Sequence, residues 1–362
     1  MNKSKTIGIL GGGQLAKMLC DSAKKMGYTS VILDPSSDAC GKFSSNLHLI
    51  KDYTDEKSLK EISEISGVVT YEFENVPIES IEIIEKIGGN IPQGKTPLYL
   101  SQHRIREKNA VRNLGVKTAK YKQVSNIEEL KEALKEVGIP AILKTCSGGY
   151  DGKGQWKIKN ESDLNNIKLE SREYILEEMV NFEKEVSCLV VRGINGEVVN
   201  FPIGENIHKN GILNLTIVPA QISKELEEKI IENSKKIIEK LGVVGPLGIE
   251  FFIAGEEIYF NEMAPRPHNS AHYTMDACNY SQFDIHLMAI LGEKIPRIKL
   301  LKNIVMLNIL GEDKEKLEKI QKSKKGIVHI YGKNSWEIGR KMGHVNFCGN
   351  DIDELIELAK SF

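Results

Sequence analysis

The amino-acid sequence predicts a mixed α/β protein of more than one unit, with a doubly wound parallel sheet at its N-terminus. Within the first hundred residues, short β-type runs alternate with amphipathic helical stretches, an order typical of parallel sheets covered by helices: Thr6–Leu10, Gln14–Met26, Ser30–Asp34, Ser58–Ile65 and Gly67–Thr70. The chain has 362 residues, which at roughly 150 residues per domain indicates two or three units. Its 41% hydrophobic and 27% charged residues are ordinary globular usage and exclude wholesale disorder.

The charge balance and the apolar stretches restrict the partners and the location of the protein. With 49 Lys and Arg against 50 Asp and Glu, the formal net charge is −1, so we expect neither nucleic acid nor a membrane surface as a partner. The N-terminal residues lack the long apolar segment of a secretory signal, and no stretch reaches the roughly 18 apolar residues that span a bilayer. The six cysteines include no Cys-x-x-Cys pair, so we expect reduced thiols in a cytoplasmic protein.

The remainder of the chain predicts two further units. A helical stretch from Ser101 to Leu114 leads out of the first unit, and Ser125-Asn126-Ile127-Glu128 matches a capping box that opens an α+β region. The last segment predicts strands near Val305–Leu310 and Gly326–Tyr331. The predicted domains are a Rossmann-like N-terminal domain at 1–115, an α+β domain at 116–295 with subdomains of about 116–178 and 179–295, and a small β-rich C-terminal domain at 296–362.

A glycine-rich turn follows the first predicted strand. Gly11-Gly12-Gly13-Gln14-Leu15-Ala16 fits the pattern G-x-G-x-x-A, and Asp34 ends the next strand, as in dinucleotide-binding folds. Backbone N–H groups at a helix N-terminus favour an anion whether or not it belongs to a dinucleotide. Three interpretations stay open at this point: a dinucleotide site, a site for another phosphate-bearing ligand near Gln14, and a purely structural turn.

A second glycine-rich segment follows the predicted strand that ends at Lys144. Ser147 to Gly154 contains four glycines, and Lys144 and Lys153 supply positive charge, as expected of a loop that folds over phosphate oxygens. The segment is not a Walker A loop, because Gly154 follows Lys153 where that motif has Ser or Thr. We expect a mobile lid over phosphates, and the alternative is a surface hairpin tip.

Two short runs joined by a turn at Gly255 place acidic residues opposite each other. If they pair as a hairpin, Glu250 faces Glu262 and Phe252 faces Phe260. Facing carboxylates repel each other, and a divalent cation turns that repulsion into binding. Asn261 points to the other face of a regular strand, so it joins such a site only if the strand is irregular. The alternative is a solvated acidic face.

Polar residues are also concentrated in two later segments. Pro265 and Pro267 stiffen a loop that contains Arg266, His268, Asn269 and Ser270, and such loops commonly bind ligands. A zinc site at His268 and His272 lacks a nearby third ligand. In the last unit, Lys333 and Arg340 lie among glycines, which fits a phosphate clamp or an ordinary basic surface.

These segments together resemble the ATP-grasp superfamily over the whole chain. The resemblance is carried by the Lys144 strand, the glycine loop to Gln155, the segment from Glu177 to Glu185 and the hairpin with Glu250 and Glu262. The first glycine turn, the loop from Pro265 to Ser270 and the last-unit motifs Tyr331-Gly332-Lys333 and Gly339 to His344 are similar to the branch that carboxylates 5-aminoimidazole ribonucleotide.

The resemblance implies a carbon–nitrogen ligase of purine (IMP) biosynthesis that depends on ATP and Mg²⁺. It activates bicarbonate as carboxyphosphate and carboxylates the exocyclic amine of 5-aminoimidazole ribonucleotide. Members of this branch are homodimers, with an N-terminal pre-ATP-grasp domain before the ATP-grasp domain. The resemblance leaves open whether carboxyphosphate or free CO₂ is attacked, and which group takes the amine proton.

The resemblance also assigns residues to roles. Contacts to ATP fall on Arg104, Lys144, Gly149, Tyr150, Asp151, Gly152, Lys153, Gly154, Gln155, Glu177, Glu178, Met179, Val180, Glu185, His208, Asn261 and Glu262. Magnesium falls to Glu250 and Glu262. Contacts to the ribonucleotide and bicarbonate fall on Asp151, Lys153, Arg266, His268, Asn269, Ser270, Lys333 and Arg340, joined by Gln14 and by a carboxylate of Glu72 or Glu74, of which we favour Glu74. Catalytic roles fall to Lys144, Arg266 and His268.

Some positions depart from the usual pattern of this branch, and several functions compete with it. Ala16-Lys17 stands where the branch usually has Gly-Arg, and Cys146-Ser147 where basic residues are frequent. The competing enzymes are a formate-dependent glycinamide ribonucleotide transformylase and another ATP-grasp carboxylase such as biotin carboxylase. A nucleotide-binding scaffold without turnover is expected to lack Lys144, Glu250 or Glu262, and an oxidoreductase is expected to bind nicotinamide at the first glycine turn.

Overall fold

The structure is a computed structural model that describes residues 2–149 and 154–362. The predicted ligand contacts at Tyr150, Asp151, Gly152 and Lys153 therefore lie outside the described residues. The same holds for most of the predicted phosphate lid.

The N-terminal unit is the parallel sheet that the sequence predicts. Its elements are β1 (Thr6–Leu10), α1 (Gln14–Lys25), β2 (Thr29–Leu33), β3 (Leu47–Leu49), α2 (Glu56–Ile65), β4 (Val68–Tyr71), α3 (Ile78–Lys86), α4 (Thr96–Ser101) and α5 (Arg104–Asn113). The strands lie in the order β3-β2-β1-β4 and all neighbours are parallel. The α/β fold class is thus confirmed. β3 was not predicted, because its three half-buried residues show too little periodicity.

A small antiparallel sheet follows. It contains β5 (Tyr121–Val124), α6 (Ile127–Val137), β6 (Ala141–Thr145), β7 (Gln155–Ile158) and β8 (Tyr174–Glu178), in the order β5-β8-β6-β7. The capping residue of α6 is Asn126, whose side chain accepts the N–H of Glu129 at 2.8 Å. The predicted capping box at Ser125 and Glu128 was therefore wrong by one residue. Both positions offer an oxygen acceptor, so the pattern alone does not choose between them.

The largest sheet has nine strands and includes the C-terminal strands. Its elements and covering helices are β9 (Lys184–Arg192), β10 (Val198–Asn200), β11 (Gly204–Lys209), β12 (Ile212–Val218), α7 (Lys224–Lys240), β13 (Gly245–Ala254), β14 (Glu257–Ala264), α8 (Thr274–Ala277), α9 (Gln282–Leu291), β15 (Asn303–Leu310), α10 (Lys314–Ser323), β16 (Ile327–Ile330), β17 (Lys341–Gly349) and α11 (Ile352–Lys360). Short 3-10 helices cover Lys3–Lys5, Cys40–Phe43, Glu161–Asn166 and Asn269–Ala271.

The C-terminal segment is β-rich, as predicted, but its strands extend the large sheet instead of forming a separate one. β15 pairs with β12, so that Met306 lies opposite Thr216, and β17 pairs with both β15 and β16. One apolar cluster contains residues of both regions: Leu215, Ile217, Val305, Leu307, Val345 and Phe347. The two regions therefore share a core.

Helix α9 and the segment after β16 bring all three regions together. Phe283 and Leu287 of α9 pack with Leu15 and Leu19 of α1, and the ring of Tyr331 joins the same cluster. The hydroxyl of Ser22 donates to the Asp284 carboxylate at 2.6 Å. Among the described residues, no helix is long and apolar enough to cross a membrane.

Because the C-terminal strands share a core with β12, we expect Phe347→Ala to destabilise the large sheet as one cooperative unit. Phe347 is fully buried, and such truncations cost about 3–5 kcal/mol of unfolding free energy. Urea unfolding followed by fluorescence and circular dichroism should show one transition at lower urea. Phe43→Ala, at a side chain that is 66% exposed, is the matched control. An early, separate transition with an unchanged main transition would contradict a shared core.

Candidate active site

The acidic hairpin forms with the predicted pairing at its centre and an irregularity beside it. Glu250 on β13 lies opposite Glu262 on β14. The next pair is Phe251 with Phe260, which leaves Asn261 as an extra residue in a β-bulge. The predicted pairing of Phe252 with Phe260 is therefore wrong, and Phe252 lies opposite Tyr259. The bulge supplies the irregularity that Asn261 requires to join the site.

The two facing carboxylates have opposite pKa shifts. Burial, together with the nearby carboxylates of Glu262 and Glu185, raises the pKa of Glu250 well above its usual range. Burial would also raise the pKa of Glu262. The guanidinium of Arg104 lies 3.0 Å from Glu262 Oε2, however, and lowers the pKa of that carboxyl group. The guanidinium of Arg104 thus lies beside Glu262, which is also a predicted ATP contact.

Two predicted ATP contacts complete a possible cation site around Glu250. Nδ1 of His208 lies 3.0 Å from Glu185 Oε2, and ligand atoms of Glu185, His208 and Glu250 lie within 4.8 Å of one another. Oxygen-rich sets with several carboxylates suit Mg²⁺, which prefers carboxylates and substrate phosphates as ligands. Glu250 with Glu185 and His208 therefore fits a divalent cation, and Glu262, the other predicted ligand, lies opposite Glu250 across the hairpin.

Lys144 lies on β6 and points to a buried carboxylate on the neighbouring strand. Its Nζ donates to Glu177 Oε2 at 2.7 Å. The other oxygen of Glu177 lies 3.1 Å from Nζ of Lys108, a lysine that is almost completely buried. Burial alone would raise the pKa of Glu177, but the two lysines lower it to about 2. A carboxylate held between two ammonium groups fixes the position of Lys144 for contact with a phosphate.

The described part of the glycine loop connects two adjacent strands. Lys144 pairs with Gln155 in the register of β6 and β7, and the N–H of Thr145 donates to the carbonyl of Gly154 at 2.9 Å. Gly154 has a φ of +72° and its missing side chain leaves room for Thr145. At the end of β8, Glu178 leads into Met179, whose partly exposed side chain is followed by Val180. β8, which ends at Glu178, pairs with β6, which contains Lys144.

Arg266 forms an ion pair with Glu74 that connects the first unit to this site. Its Nε and Nη2 atoms both donate to the carboxylate of Glu74, the latter at 2.8 Å. Burial would raise the pKa of Glu74, but Arg266 lowers it to about 2. A bidentate pair fixes the plane of the guanidinium and the plane of the carboxylate relative to each other. This contact favours Glu74 over Glu72 as the carboxylate beside a bound substrate.

The loop after Arg266 places three polar side chains near Glu250. Nδ1 of His268 lies 2.7 Å from the hydroxyl of Ser270, and its Nε2 lies 3.7 Å from Glu250 Oε1. A Cβ on Gly248 would come within 2.8 Å of His268, so the glycine makes room for this ring. Both amide atoms of Asn269 are buried without a partner among the described residues. Buried polar groups rarely stay unpaired, so the amide of Asn269 is available to a ligand.

The first glycine turn binds two carboxylates of the protein itself. The N–H of Gly12 donates to Asp34 at 2.8 Å, and those of Gly13 and Ala16 donate to Glu72 at 2.9 and 3.1 Å. Asp34 also accepts the hydroxyl of Tyr53. The Asp34 carboxylate, the acid expected to bind a ribose in a dinucleotide site, is therefore bonded to the turn itself, which favours the other two interpretations. Gln14 begins α1 between these contacts, in a turn whose N–H groups have no partner within the helix.

The last unit reaches this turn through Lys333. Nζ of Lys333 donates to the carbonyl of Lys341 at 2.7 Å, and burial and the charge of Arg340 lower its pKa to about 8. The charges of Cys40 and Glu72 also act on this pKa, which places Lys333 near the first glycine turn. Arg340 donates to the carbonyl of Ser335 at 3.2 Å. Both predicted cations thus lie at the boundary between the first and last units.

Sequence reasoning missed three buried residues that support the site. Lys108 holds Glu177, Gln93 donates to the carbonyl of Pro265 at 3.4 Å, and Gln282 bonds to the loop at His268. Lys108 follows Arg104 by four residues on α5, so the helical period places both on one face. That spacing was the available signal. Gln93 and Gln282 gave no such signal, because their partners are distant in the sequence.

We expect Lys108→Met to destabilise the protein by about 3 kcal/mol, the lower end of the range for breaking a buried ion pair, because Lys144 still contacts Glu177. The KM for ATP should rise as well, since Glu177 no longer fixes Lys144. The control is Lys122→Met, which removes an exposed pair with Glu136 at 2.8 Å and should cost less than about 1 kcal/mol. Equal unfolding free energies and equal KM values in the two variants would contradict this role.

Three family descriptions match consecutive parts of the chain. A ribonucleotide synthetase preATP-grasp domain matches residues 4–101, an ATP-grasp domain matches residues 109–283, and a phosphoribosylaminoimidazole carboxylase C-terminal domain matches residues 304–358. Together they cover the three regions of the fold described above.

Whole-chain comparisons give the same result. An N5-carboxyaminoimidazole ribonucleotide synthase of Bacillus subtilis is 42% identical over 356 residues, which are 97% of this chain and 93% of the relative. An N5-carboxyaminoimidazole synthetase of Staphylococcus aureus, solved with ADP, is 42% identical with a TM-score of 0.94, covering 100% of this chain and 97% of that one. An Aspergillus clavatus N5-carboxyaminoimidazole synthase, solved with ADP and 5-aminoimidazole ribonucleotide, is 26% identical with a TM-score of 0.90, covering 99% of both chains.

Proposed function

The chain belongs to the N5-carboxyaminoimidazole ribonucleotide synthase family of ATP-grasp ligases, and from this premise we propose how its residues divide the work. It is an ATP-dependent ligase of purine biosynthesis that carboxylates 5-aminoimidazole ribonucleotide with bicarbonate. The observation that carries this conclusion is the meeting of His268, from the stiff loop, with Glu250, which lies opposite Glu262 across the hairpin.

ATP binds in the cleft between the small antiparallel sheet and the β13–β14 hairpin. Lys144, fixed by Glu177, and Arg104, beside Glu262, contact the phosphates, where positive charge stabilises the transferred phosphoryl group. ATP also contacts Glu178, Met179 and Val180, together with Glu185, His208 and Asn261. Gly149, Gly154 and Gln155 border the phosphates. The predicted contacts at Tyr150, Asp151, Gly152 and Lys153 stay predictions.

Glu250 and Glu262 would hold Mg²⁺ when ATP is bound. Their in-register placement and the raised pKa of Glu250 support this assignment, because two close carboxylates are stabilised by a cation. When bound, the ion supplies charge neutralisation at the phosphates. The residues of the protein hold the nucleotide in the orientation that phosphoryl transfer requires.

Bicarbonate and the ribonucleotide bind on the other side of the hairpin. The planar guanidinium of Arg266, oriented by Glu74, suits a bicarbonate or carboxyl group. Nδ1 of His268 is engaged with Ser270, so Nε2 is the atom available to orient the substrate amine. Asn269 offers an unpaired amide to the substrate. The 5′-phosphate lies between Lys333 and Arg340 of the last unit and Gln14 of the first.

The reaction then follows in two steps. ATP phosphorylates bicarbonate to give carboxyphosphate and ADP, and the amine attacks the carboxyl carbon of carboxyphosphate, or CO₂ released from it, with loss of phosphate and a proton. Holding both partners in one site makes capture faster than hydrolysis of the labile intermediate.

The remaining assignments concern organisation. We propose domains at 1–115, 116–295 and 296–362, supported by the family matches at 4–101, 109–283 and 304–358. The family resemblance supports a homodimer, which sedimentation would test, and a cytoplasmic location.

The substrate test measures ADP release with ATP, Mg²⁺ and bicarbonate. We expect slow release alone and strong stimulation by 5-aminoimidazole ribonucleotide, because the amine captures the activated carboxyl group and drives turnover. Glycinamide ribonucleotide with formate, and free biotin, serve as comparison substrates. Stimulation by the formate pair and none by 5-aminoimidazole ribonucleotide would replace this function with that of a transformylase.

The phosphate assignment is tested by replacing Lys333 and Arg340 together with Ala. We expect the KM for 5-aminoimidazole ribonucleotide to rise far more than the KM for ATP, since each charge-assisted contact contributes about 1.5–3 kcal/mol. The control is the Lys316→Ala variant, at a lysine that pairs with Asp313 at 2.7 Å on α10. Equal increases in both KM values would count against the clamp.

A further inference from the structure

The side chain of Gln282 makes three hydrogen bonds to the loop that contains His268. Its Oε1 accepts the backbone N–H of His268 at 2.7 Å, and its Nε2 donates to the carbonyl of His268 at 3.0 Å. The same Nε2 lies 3.0 Å from Nδ1 of His272. Gln282 is fully buried. A primary amide has one carbonyl and two N–H donors, so this side chain uses all its groups on one loop.

The helix that begins with Gln282 is itself held firmly. Ser281 and Asp284 form a reciprocal capping box at the start of α9. Asp284 also accepts the hydroxyl of Ser22 on α1 at 2.6 Å, and the N–H of Gln282 donates to Thr274 Oγ1 at 3.0 Å. The amide of Gln282 therefore extends from a fixed helix terminus that is bonded to the first unit.

Bonds on both sides of one residue determine the direction of its side chain. With its N–H and its carbonyl both bonded to Gln282, the backbone of His268 resembles a residue paired in a β-ladder. This pairing sets the ring of His268 over Gly248, with Nε2 3.7 Å from Glu250 Oε1. It also fixes the backbone position from which the next residue, Asn269, continues. The buried amide of Asn269 has no partner among the described residues.

We propose that Gln282 is a positioning residue for carboxylation, which holds His268 and Asn269 where the ribonucleotide amine meets the activated carboxyl group. The inference rests on the proposed function. Gln282 lies behind the loop and acts through His268, so its loss should affect capture of the carboxyl group more than the phosphoryl transfer that precedes it.

This role differs measurably from a purely structural one. A residue that only fills the interior lowers stability when it is replaced, but the molecules that stay folded use ATP with unchanged efficiency. A positioning residue changes the ratio of ADP released to carboxylated product, because activated bicarbonate that is not captured is hydrolysed. That ratio does not depend on how much protein is folded.

The test compares Gln282→Met with the wild-type protein. Methionine has a similar length and no hydrogen-bonding amide. We expect kcat/KM for 5-aminoimidazole ribonucleotide to fall by about 10²-fold, the effect of misplacing a reacting group by about 1 Å, and the ratio of ADP to product to rise above the wild-type value. The KM for ATP should stay near the wild-type value.

The matched control is Tyr28→Phe. The hydroxyl of Tyr28 donates to Glu293 at 3.0 Å, just beyond the other end of α9. The variant removes a hydrogen bond between the first unit and the far end of α9 without touching the loop, so the ratio of ADP to product should not change. A wild-type ratio in Gln282→Met, whatever its stability, would overturn the proposal.

A second variant covers the case in which Gln282→Met does not fold. In Gln282→Glu, the protonated acid can accept the His268 N–H and donate one hydrogen bond, whereas the ionised form can only accept. Burial raises the pKa of such a carboxyl group, so the coupling ratio of this variant should approach the wild-type value as the pH is lowered from about 8 to about 6. A ratio that matches the wild type at a pH where the introduced carboxyl group is ionised, as followed by the pH dependence of the variant's stability, would overturn the proposal.

The wild-type protein separates this inference from the proposed function. If the wild type does not carboxylate 5-aminoimidazole ribonucleotide, the proposed function fails. If it does so with tight coupling and the Gln282 variants are equally coupled, only the positioning role fails.

Discussion

The site depends on one electrostatic constraint, which is that several buried or half-buried carboxylates require positive charge beside them. Removing a charged group from water is costly unless it is paired. Glu177 lies between Lys108 and Lys144, Glu262 contacts Arg104, and Glu74 contacts Arg266. These pairs connect α5, β6, β8, β14 and the stiff loop. The charge pattern that prepares the cleft for phosphates is therefore also what holds its walls together.

The reacting groups come from three regions of the fold. These regions share apolar cores instead of only touching at their surfaces. Helix α9 packs on α1, and the C-terminal strands continue the large sheet through the pairing of β12 with β15. Tyr331 inserts into the α1 cluster two residues before Lys333. A ribonucleotide bound between the first and last units can therefore be placed against the hairpin of the middle region with little freedom.

Local patterns in the sequence predicted the parts of the structure that depend on nearby residues. The alternation of strands and helices gave the parallel sheet, and the turn at Gly255, with a φ of +61°, gave the hairpin. The predicted pairing of Glu250 with Glu262 is correct because the bulge at Asn261 shifts the register by one residue, whereas the pairs nearer the turn differ from the prediction. The bulge at Asn261 and the joining of β15 to β12 were not predictable, because strand alternation does not specify which strands pair. Asp34 and Glu72 were candidates for ligand contact, but they bind the glycine turn from 22 and 59 residues away. Gln282 was missed because its partners belong to a separate loop, whereas Lys108 was missed although its helical spacing from Arg104 was a usable signal.

The central claim is that bicarbonate accepts the phosphoryl group of ATP before the ribonucleotide amine is carboxylated. The most direct measurement uses bicarbonate labelled with heavy oxygen, with mass spectrometry of the phosphate released during turnover with 5-aminoimidazole ribonucleotide. If carboxyphosphate forms, one labelled oxygen passes from bicarbonate to each phosphate, because the bridging oxygen stays with phosphorus when the carboxyl group leaves. Phosphate that takes its new oxygen only from water would contradict the account.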